Sequence, residues 1–199
     1  IEKKIGSLQI NNLERTTIKH LIKEIQNKYK IHENIYNELL HSYDFHNPIT
    51  QTNTYFDTEN QDVKKQHGAV RIRTIQNKKI FTLKIRKDEY THYEFEKEIS
   101  AENINEIEDP EILNWFNQYQ IPKNLHPTAS FTTLRNVYAF ENGELCLDKT
   151  YYKNHTDYEI EYEYTSDHDG IHFFNSILEK YGLKWAKNCP SKIARALND

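Results

Sequence analysis

The sequence contains no methionine and only two cysteines, Cys146 and Cys189. The missing Met, initiator included, makes a chain trimmed at its start, or one whose modified Met residues have dropped out, the expectation. Cysteines this far apart, outside any Cys-x-x-Cys pair, exclude a disulfide framework and a thiolate zinc site. No apolar run approaches the roughly 18 residues that a membrane helix needs, and no basic, apolar and small-residue series opens the chain as a signal peptide would. These absences make a cytoplasmic protein with no membrane partner the expectation. There are five glycines and five prolines, with no Gly/Ser linker, repeat or low-complexity tract, so residues 1–199 read as one domain. Excess basic charge is lacking too. The 26 Lys and Arg stand against 30 Asp and Glu, a net −4 that argues against broad contact with nucleic acid. Neither a Gly-rich phosphate loop nor a Gly-x-Ser-x-Gly elbow is present, which removes two common nucleotide-binding and hydrolytic routes.

Hydrophobic residues make up 37% of the chain and charged residues 28%, so a wholly apolar core is hard to assemble and some charge belongs inside. The 14 Tyr and 9 Phe supply the surface that a folded chain must bury. Alternation predicts strands at 1–10, 49–57, 69–75, 79–86, 91–99, 128–140, 144–152 and 157–165. Asn142-Gly143 is the strongest hairpin signal. Asn11 with Glu14 resembles a capping box, and Leu13, Ile18, Leu21, Ile22, Ile25 and Tyr29 follow at helical spacing. An amphipathic helix is therefore predicted over 12–29, with a less regular stretch after it as far as Pro48. Shorter helices are predicted at 59–66, on either side of Asp109-Pro110 within 102–119, at 169–181 and at 190–197. Eight strands joined by short turns pair antiparallel and suffice to close a barrel. The expected fold is α+β, a closed eight-stranded antiparallel β-barrel with flanking helices.

Side chains two apart on a strand share a face, which sorts the charges into rows. Arg71 and Arg73 form one row, Glu94, Glu96 and Glu98 a second, Glu144 and Asp148 with Cys146 a third, and Glu159, Glu161 and Glu163 a fourth. Lys84 lies with Thr82 and Arg86, and Arg135 with Thr133 and Val137. An exposed face normally mixes signs within a strand, whereas here each row carries one sign. Like charges in a row repel unless opposite charges or a bound ion stand between them. A barrel interior would supply that arrangement. His168 and His172 are four apart on a predicted helix but have no third ligand, so they read as a solvated pair. Tyr55 and Asp57 read as the end of a strand and the start of a turn.

Several blocks in order resemble the CYTH superfamily of triphosphate tunnel metalloenzymes. They are Ile1-Glu2-Lys3-Lys4-Ile5, Tyr55-Phe56-Asp57-Thr58, Ala69-Val70-Arg71-Ile72-Arg73, Thr82-Leu83-Lys84, Tyr93-Glu94-Phe95-Glu96, Leu147-Asp148, Tyr158-Glu159-Ile160-Glu161 and Ser191-Lys192. The likeness spans nearly the whole chain and is greatest to small bacterial adenylate-cyclase-like or thiamine-triphosphatase-like members. It implies eight strands closed into a tunnel, a divalent cation, Mg²⁺ or Mn²⁺, and a small-molecule triphosphate ligand. By the same resemblance Lys4, Arg71, Arg73, Lys84, Arg135 and Lys192 bind phosphate. Glu159 and Glu161 hold a metal, with Asp148, Glu94 and Glu96 contributing to the metal or its water shell. Glu2 matches the second acid of the family's opening Glu-x-Glu-x-Lys, whose first acid would precede Ile1.

Those six cations balance the six acids Glu2, Glu94, Glu96, Asp148, Glu159 and Glu161. Tripolyphosphate at about −4 would enter neutralised by two divalent ions. Arg offers a planar fork to phosphate oxygens and Lys a mobile point charge, while carboxylates suit Mg²⁺ or Mn²⁺. The expected activity is metal-dependent in-line attack of water on the terminal phosphorus, with Glu2, Lys4, Arg71, Arg73 and Lys84 as the catalytic set and inorganic tripolyphosphate favoured. The alternatives are a class IV adenylate cyclase-type lyase and a non-catalytic polyphosphate- or nucleotide-binding module. The protein is expected to act as a monomer or homodimer.

Overall fold

Period-two alternation governs most of the chain, and the computed structural model, which describes residues 26–87 and 92–199, turns it into one sheet of eight antiparallel strands. The elements in chain order are β1 (Gln26–Ile31), α1 (Glu33–Ser42), β2 (Ile49–Asp57), α2 (Asp62–Lys65), β3 (Gly68–Ile75), β4 (Lys78–Arg86) and β5 (His92–Ile99). After a 3₁₀ turn at Ile104–Glu106 come α3 (Pro110–Gln118), β6 (His126–Ala139), β7 (Gly143–Tyr151), β8 (Thr156–Tyr164) and α4 (Gly170–Leu178). A second 3₁₀ turn at Glu179–Tyr181 precedes α5 (Lys192–Ala196). The spatial order is β1-β8-β7-β6-β2-β3-β4-β5. Among the described residues no helix is long and apolar enough to cross a membrane.

The two faces of this sheet differ completely in chemistry. One face carries Val70, Ile72, Phe81, Leu83 and Phe95 from β3 to β5, on which α3 lays Ile112 and Trp115. The same face carries Leu145, Leu147, Ile160 and Tyr162 from β7 and β8, covered by Tyr36 and Leu39 of α1 and Phe174, Ile177 and Leu178 of α4. Each such fully buried side chain contributes roughly 1.5–3 kcal/mol, so two apolar cores, both outside the sheet, carry the fold. The other face holds the charged rows. Asp109 starts α3 by accepting hydrogen bonds from Glu111 N and Ile112 N at 3.0 and 3.2 Å, with Pro110 following. Gly143 opens β7 where a Cβ would come within 2.5 Å of the Tyr162 ring, so the hairpin at Asn142-Gly143 needs glycine there. A register shift between Tyr55 and Phe56 accommodates Pro127, which has no N–H for the ladder.

Three expectations meet the coordinates differently. The helix predicted over 12–29 does not reach its end, because 26–31 form strand β1; its earlier part, with the strand predicted at 1–10, lies outside the described residues. Ile25 and Tyr29 happen to be four apart, but Asn27, Tyr29 and Ile31 also alternate with Gln26, Lys28 and Lys30, and pairing with β8 decides between the periods. The less regular stretch before Pro48 contains α1, whose His32 makes no side-chain cap and so leaves no start signal. Finally, the sheet is not closed among the described residues: β1 and β5 are its ends. The outward backbone of β1 is engaged elsewhere. Lys28 N donates to Asn188 Oδ1 at 2.8 Å, Asn188 Nδ2 to Gln26 O at 3.2 Å, and Cys189 N to Lys28 O at 3.3 Å.

Candidate functional site

Register brings the charged rows together on the face opposite the cores. In β7 and β8, Asp148 pairs with Glu159 and Cys146 with Glu161, while Arg135 of β6 pairs with Asp148. Three carboxylates converge there, with Asp148 0%, Glu159 1% and Glu161 2% exposed. An oxygen from each lies within 4.8 Å of the others. Burial alone would drive such acids toward the neutral form. Here cations outweigh it. Arg135 and Lys192 hold Asp148 well below the usual carboxylate range, and Lys28, Arg135 and Lys192 bring Glu161 down to about 2.

The counter-charges arrive from three elements. Arg135 grips Asp148 bidentately at 2.9 and 2.8 Å and reaches Glu161 at 3.0 Å and Glu163 at 3.3 Å. Lys192, at the start of α5, lies 2.9 Å from Asp148 and 3.9 Å from Glu161, and donates to Glu159 Oε1. Arg195, one turn further along α5, donates to Asp157 at 2.9 Å and to Glu159 Oε2. Lys28 of β1 meets Glu161 at 3.3 Å, and Lys30 meets Asp157 at 3.7 Å. Five acids, Asp148, Asp157, Glu159, Glu161 and Glu163, thus meet five cations. The hard oxygen donors of Asp148, Glu159 and Glu161, all buried and within 4.8 Å of one another, fit a divalent ion that prefers oxygen.

On the other half of the same face, β2 to β5 carry the remaining rows. Arg71 of β3 lies 3.4 Å from Glu96 and 3.6 Å from Glu94, and donates to Thr82 at 3.1 Å; its Cζ sits 6.0 Å from the Tyr55 ring centroid. Lys84 meets Glu94 at 3.3 Å. Arg73 donates to Asn53 Oδ1 at 3.2 Å, and among the described residues no carboxylate pairs with it. Its pKa is lowered, first by burial and then by the neighbouring Arg71 guanidinium; Glu96 opposes the shift and Arg135 adds to it. A cationic half with a residual positive charge therefore faces an anionic half that is already balanced.

A family model described as the CYTH domain matches residues 23–195 of the chain. The chain belongs to the CYTH family. YjbK of Bacillus subtilis (strain 168), named as a candidate triphosphatase, is 31% identical to this CYTH chain over 137 residues, 67% of this chain and 72% of YjbK. A candidate adenylate cyclase from Bacillus halodurans has the same fold at TM-score 0.76 and 27% identity, covering 88% of this chain and 98% of that one. The candidate adenylyl cyclase HpAC1 from Hippeastrum, at 22% identity, shares the fold at TM-score 0.71 over 88% of this chain and 95% of its own.

In this CYTH chain the site residues singled out by sequence separate into two groups. Arg135, Asp148, Glu159, Glu161 and Lys192 come together as one cluster, and Arg71, Lys84, Glu94 and Glu96 as another, with Arg73 beside Asn53. Glu2 and Lys4 lie outside the described residues. Sequence reasoning missed Lys28, Lys30, Asp157 and Arg195. Asp157 was legible as the member of the β8 row two residues before Glu159, and Arg195 as one helical turn from Lys192. Lys28 and Lys30 were hidden by the helical reading of their segment. Asp57 does set a turn, accepting from Thr58 N and Val63 N at 2.8 and 2.9 Å and from Lys64 N at 3.1 Å. His168 binds the Tyr162 hydroxyl at 2.9 Å and has a structural role.

Proposed function

We propose that this protein is a divalent-metal-dependent hydrolase of triphosphate compounds, most simply inorganic tripolyphosphate, working on the charged face of the sheet as one domain over 1–199. The observation that carries the reading is Arg73. A half-buried guanidinium beside Arg71 and Arg135, with no carboxylate of its own, is a place where an anion lowers the energy of the protein. Arg71 Nε supports it, being buried without a partner among the described residues. YjbK, the candidate triphosphatase, fits the same reading, and HpAC1, of the same fold, is described as having a dominant triphosphatase activity.

The residues divide the work by chemistry. Arg71 and Arg73 offer planar forks to the non-bridging oxygens of the phosphate chain, and Lys84, Arg135 and Lys192, with Lys4, complete the cationic set. Asp148, Glu159 and Glu161 would hold Mg²⁺ or Mn²⁺, with Glu94, Glu96 and Glu2 contributing acids to the metal or its water shell. Such an ion, when bound, neutralises phosphate oxygens and acidifies water. In the reaction, water oxygen bonds to the terminal phosphorus as the bridging P–O bond opposite breaks. The proton passes to solvent, and orthophosphate and diphosphate leave. The cations stabilise charge on the equatorial and leaving oxygens, so catalysis is positioning and electrostatics without a covalent intermediate.

The test is phosphate release from tripolyphosphate, thiamine triphosphate and nucleoside triphosphates with Mg²⁺ or Mn²⁺, using Arg71→Ala as control. Turnover of tripolyphosphate lost in the control is the expected result. Cyclic AMP and diphosphate from ATP would move the protein to the cyclase reading that the Bacillus halodurans relative suggests. Calorimetric binding with no product would make it a binding module.

A further inference from the structure

Glu159 is held differently from the other two members of the acid trio. Asp148 is held by Arg135 and Lys192, and Glu161 by Arg135 at 3.0 Å, Lys28 at 3.3 Å and Lys192 at 3.9 Å, whereas only Glu159 is held by Arg195. Glu159 divides its oxygens. Oε1 accepts from Lys192, the ammonium that also touches Asp148 and Glu161, so this oxygen points toward the trio's centre. Oε2 accepts instead from Arg195 and from the Cys189 thiol at 3.3 Å. Arg195 touches no other member of the trio. Its second nitrogen is fixed at 2.9 Å by Asp157, which is itself 2% exposed, and its Cζ lies 6.0 Å from the Tyr152 ring centroid. The guanidinium plane is thus set by Asp157 and in turn sets the carboxylate plane of Glu159.

We infer that Arg195 is a positioning residue for the divalent cation: it holds Glu159 so that Oε1 faces the ion, and it touches neither ion nor phosphate. This rests on the reading of Asp148, Glu159 and Glu161 as the metal site. A ligand carboxylate whose outer oxygen is bound by a fixed donor keeps its inner oxygen in place without help from the ion, and losing such a partner typically costs 10–100-fold in metal affinity. Lysine cannot replace it, because one ammonium does not span Asp157 and Glu159 as a planar fork does.

Mn²⁺ binding, measured by calorimetry without any phosphate ligand, tests this on wild type, Arg195→Gln, Arg195→Lys and Asp157→Asn, all checked for folding by circular dichroism. The expected result is a 10–100-fold weaker Mn²⁺ affinity in Arg195→Gln and a smaller loss in Asp157→Asn. Arg195→Lys should give no full rescue, and KM for tripolyphosphate at saturating Mn²⁺ should stay within about threefold of wild type. If Arg195→Gln does not fold, Arg195→Lys and Asp157→Asn carry the test, and unchanged Mn²⁺ affinity in both overturns the inference. Affinity within twofold of wild type in folded Arg195→Gln overturns it alone and leaves the metal site standing. A tripolyphosphate KM that rises as far as the metal affinity falls overturns it by making Arg195 a phosphate ligand. Absence of Mn²⁺ binding in wild type removes the metal site and this inference together.

Discussion

The half of the sheet built from β1, β8, β7 and β6 and the half built from β2 to β5 use the same device for opposite ends. Both place an apolar core behind the sheet and charge in front of it. In the first half the acids are at most 2% exposed at Asp148, Glu159 and Glu161, and every one has a cation within hydrogen-bond reach. In the second, Glu96 is 45% exposed in its side chain, and Arg73 has an amide in place of an acid. Desolvated ions need near-perfect pairing to be tolerated, so the first half is committed to its own network. The second half keeps a charge in hand for a ligand. Removing a charge should therefore cost stability as well as function in the first half and function alone in the second.

The largest effect is expected at Asp148. Asp148→Asn leaves Arg135 without its bidentate partner and Lys192 without its 2.9 Å contact. Loss of one partner of a buried network costs about 3–5 kcal/mol, measured by urea unfolding. The double variant with Arg135→Gln should lose much less than the two single losses added, because the orphaned charge goes too. Strict additivity would show that the network is not a unit.

Arg73 and Arg135 break or sharpen the contrast directly. Arg135→Gln takes one cation from each of two buried carboxylates, Asp148 and Glu161, and should destabilise the fold by about 3 kcal/mol. Arg73→Gln strands none and relieves repulsion with Arg71 and Arg135, so its stability should change by no more than about 1 kcal/mol. Its kcat/KM for tripolyphosphate should instead fall about 100-fold, the scale of one lost charge-stabilising donor. Equal destabilisation by the two substitutions would erase the distinction between the halves.

The contrast also explains what could be read from sequence. Strands β2 to β8 follow their alternation to within two residues at each end, because each has one greasy and one polar face and a one-residue slip would invert both. Glu159 and Glu161, two apart, had to share a face, as did Arg71 and Arg73. What the pattern lacks is the partner across space. Nothing local to Lys28 says that it meets Glu161, and nothing local to residues 188–189 says that they bind the outer edge of β1 in the place where a closed barrel would put β5. Arg73 is the same lesson reversed: its row was legible, but the absence of an acid beside it depends on Asn53, which β2 brings there by register.

The smallest expected effect sharpens the comparison from behind the sheet. The two tryptophans divide between the halves, Trp115 in the core behind β3 to β5 and Trp185 against the core behind β7 and β8. Trp115 is carried by α3, whose Asp109 cap also meets Lys97 at 2.9 Å. Although partial burial opposes it, the Lys97 ammonium and the amides of Ile112 and Glu111 lower the Asp109 pKa from 3.8. A carboxyl depressed on folding adds stability that is present above its unfolded pKa and is lost as pH falls through the folded value. In a Trp185→Phe background, Trp115 fluorescence should therefore report an acid transition beginning near pH 4. Asp109→Ala should lower stability by about 1 kcal/mol at neutral pH and weaken that pH dependence. Tripolyphosphate turnover should be little changed, because this cap supports the second half without touching its charged face. A loss of turnover as large as that of Arg73→Gln would mean that the cores and the charged face are coupled through the sheet, and the division of labour between them would fail.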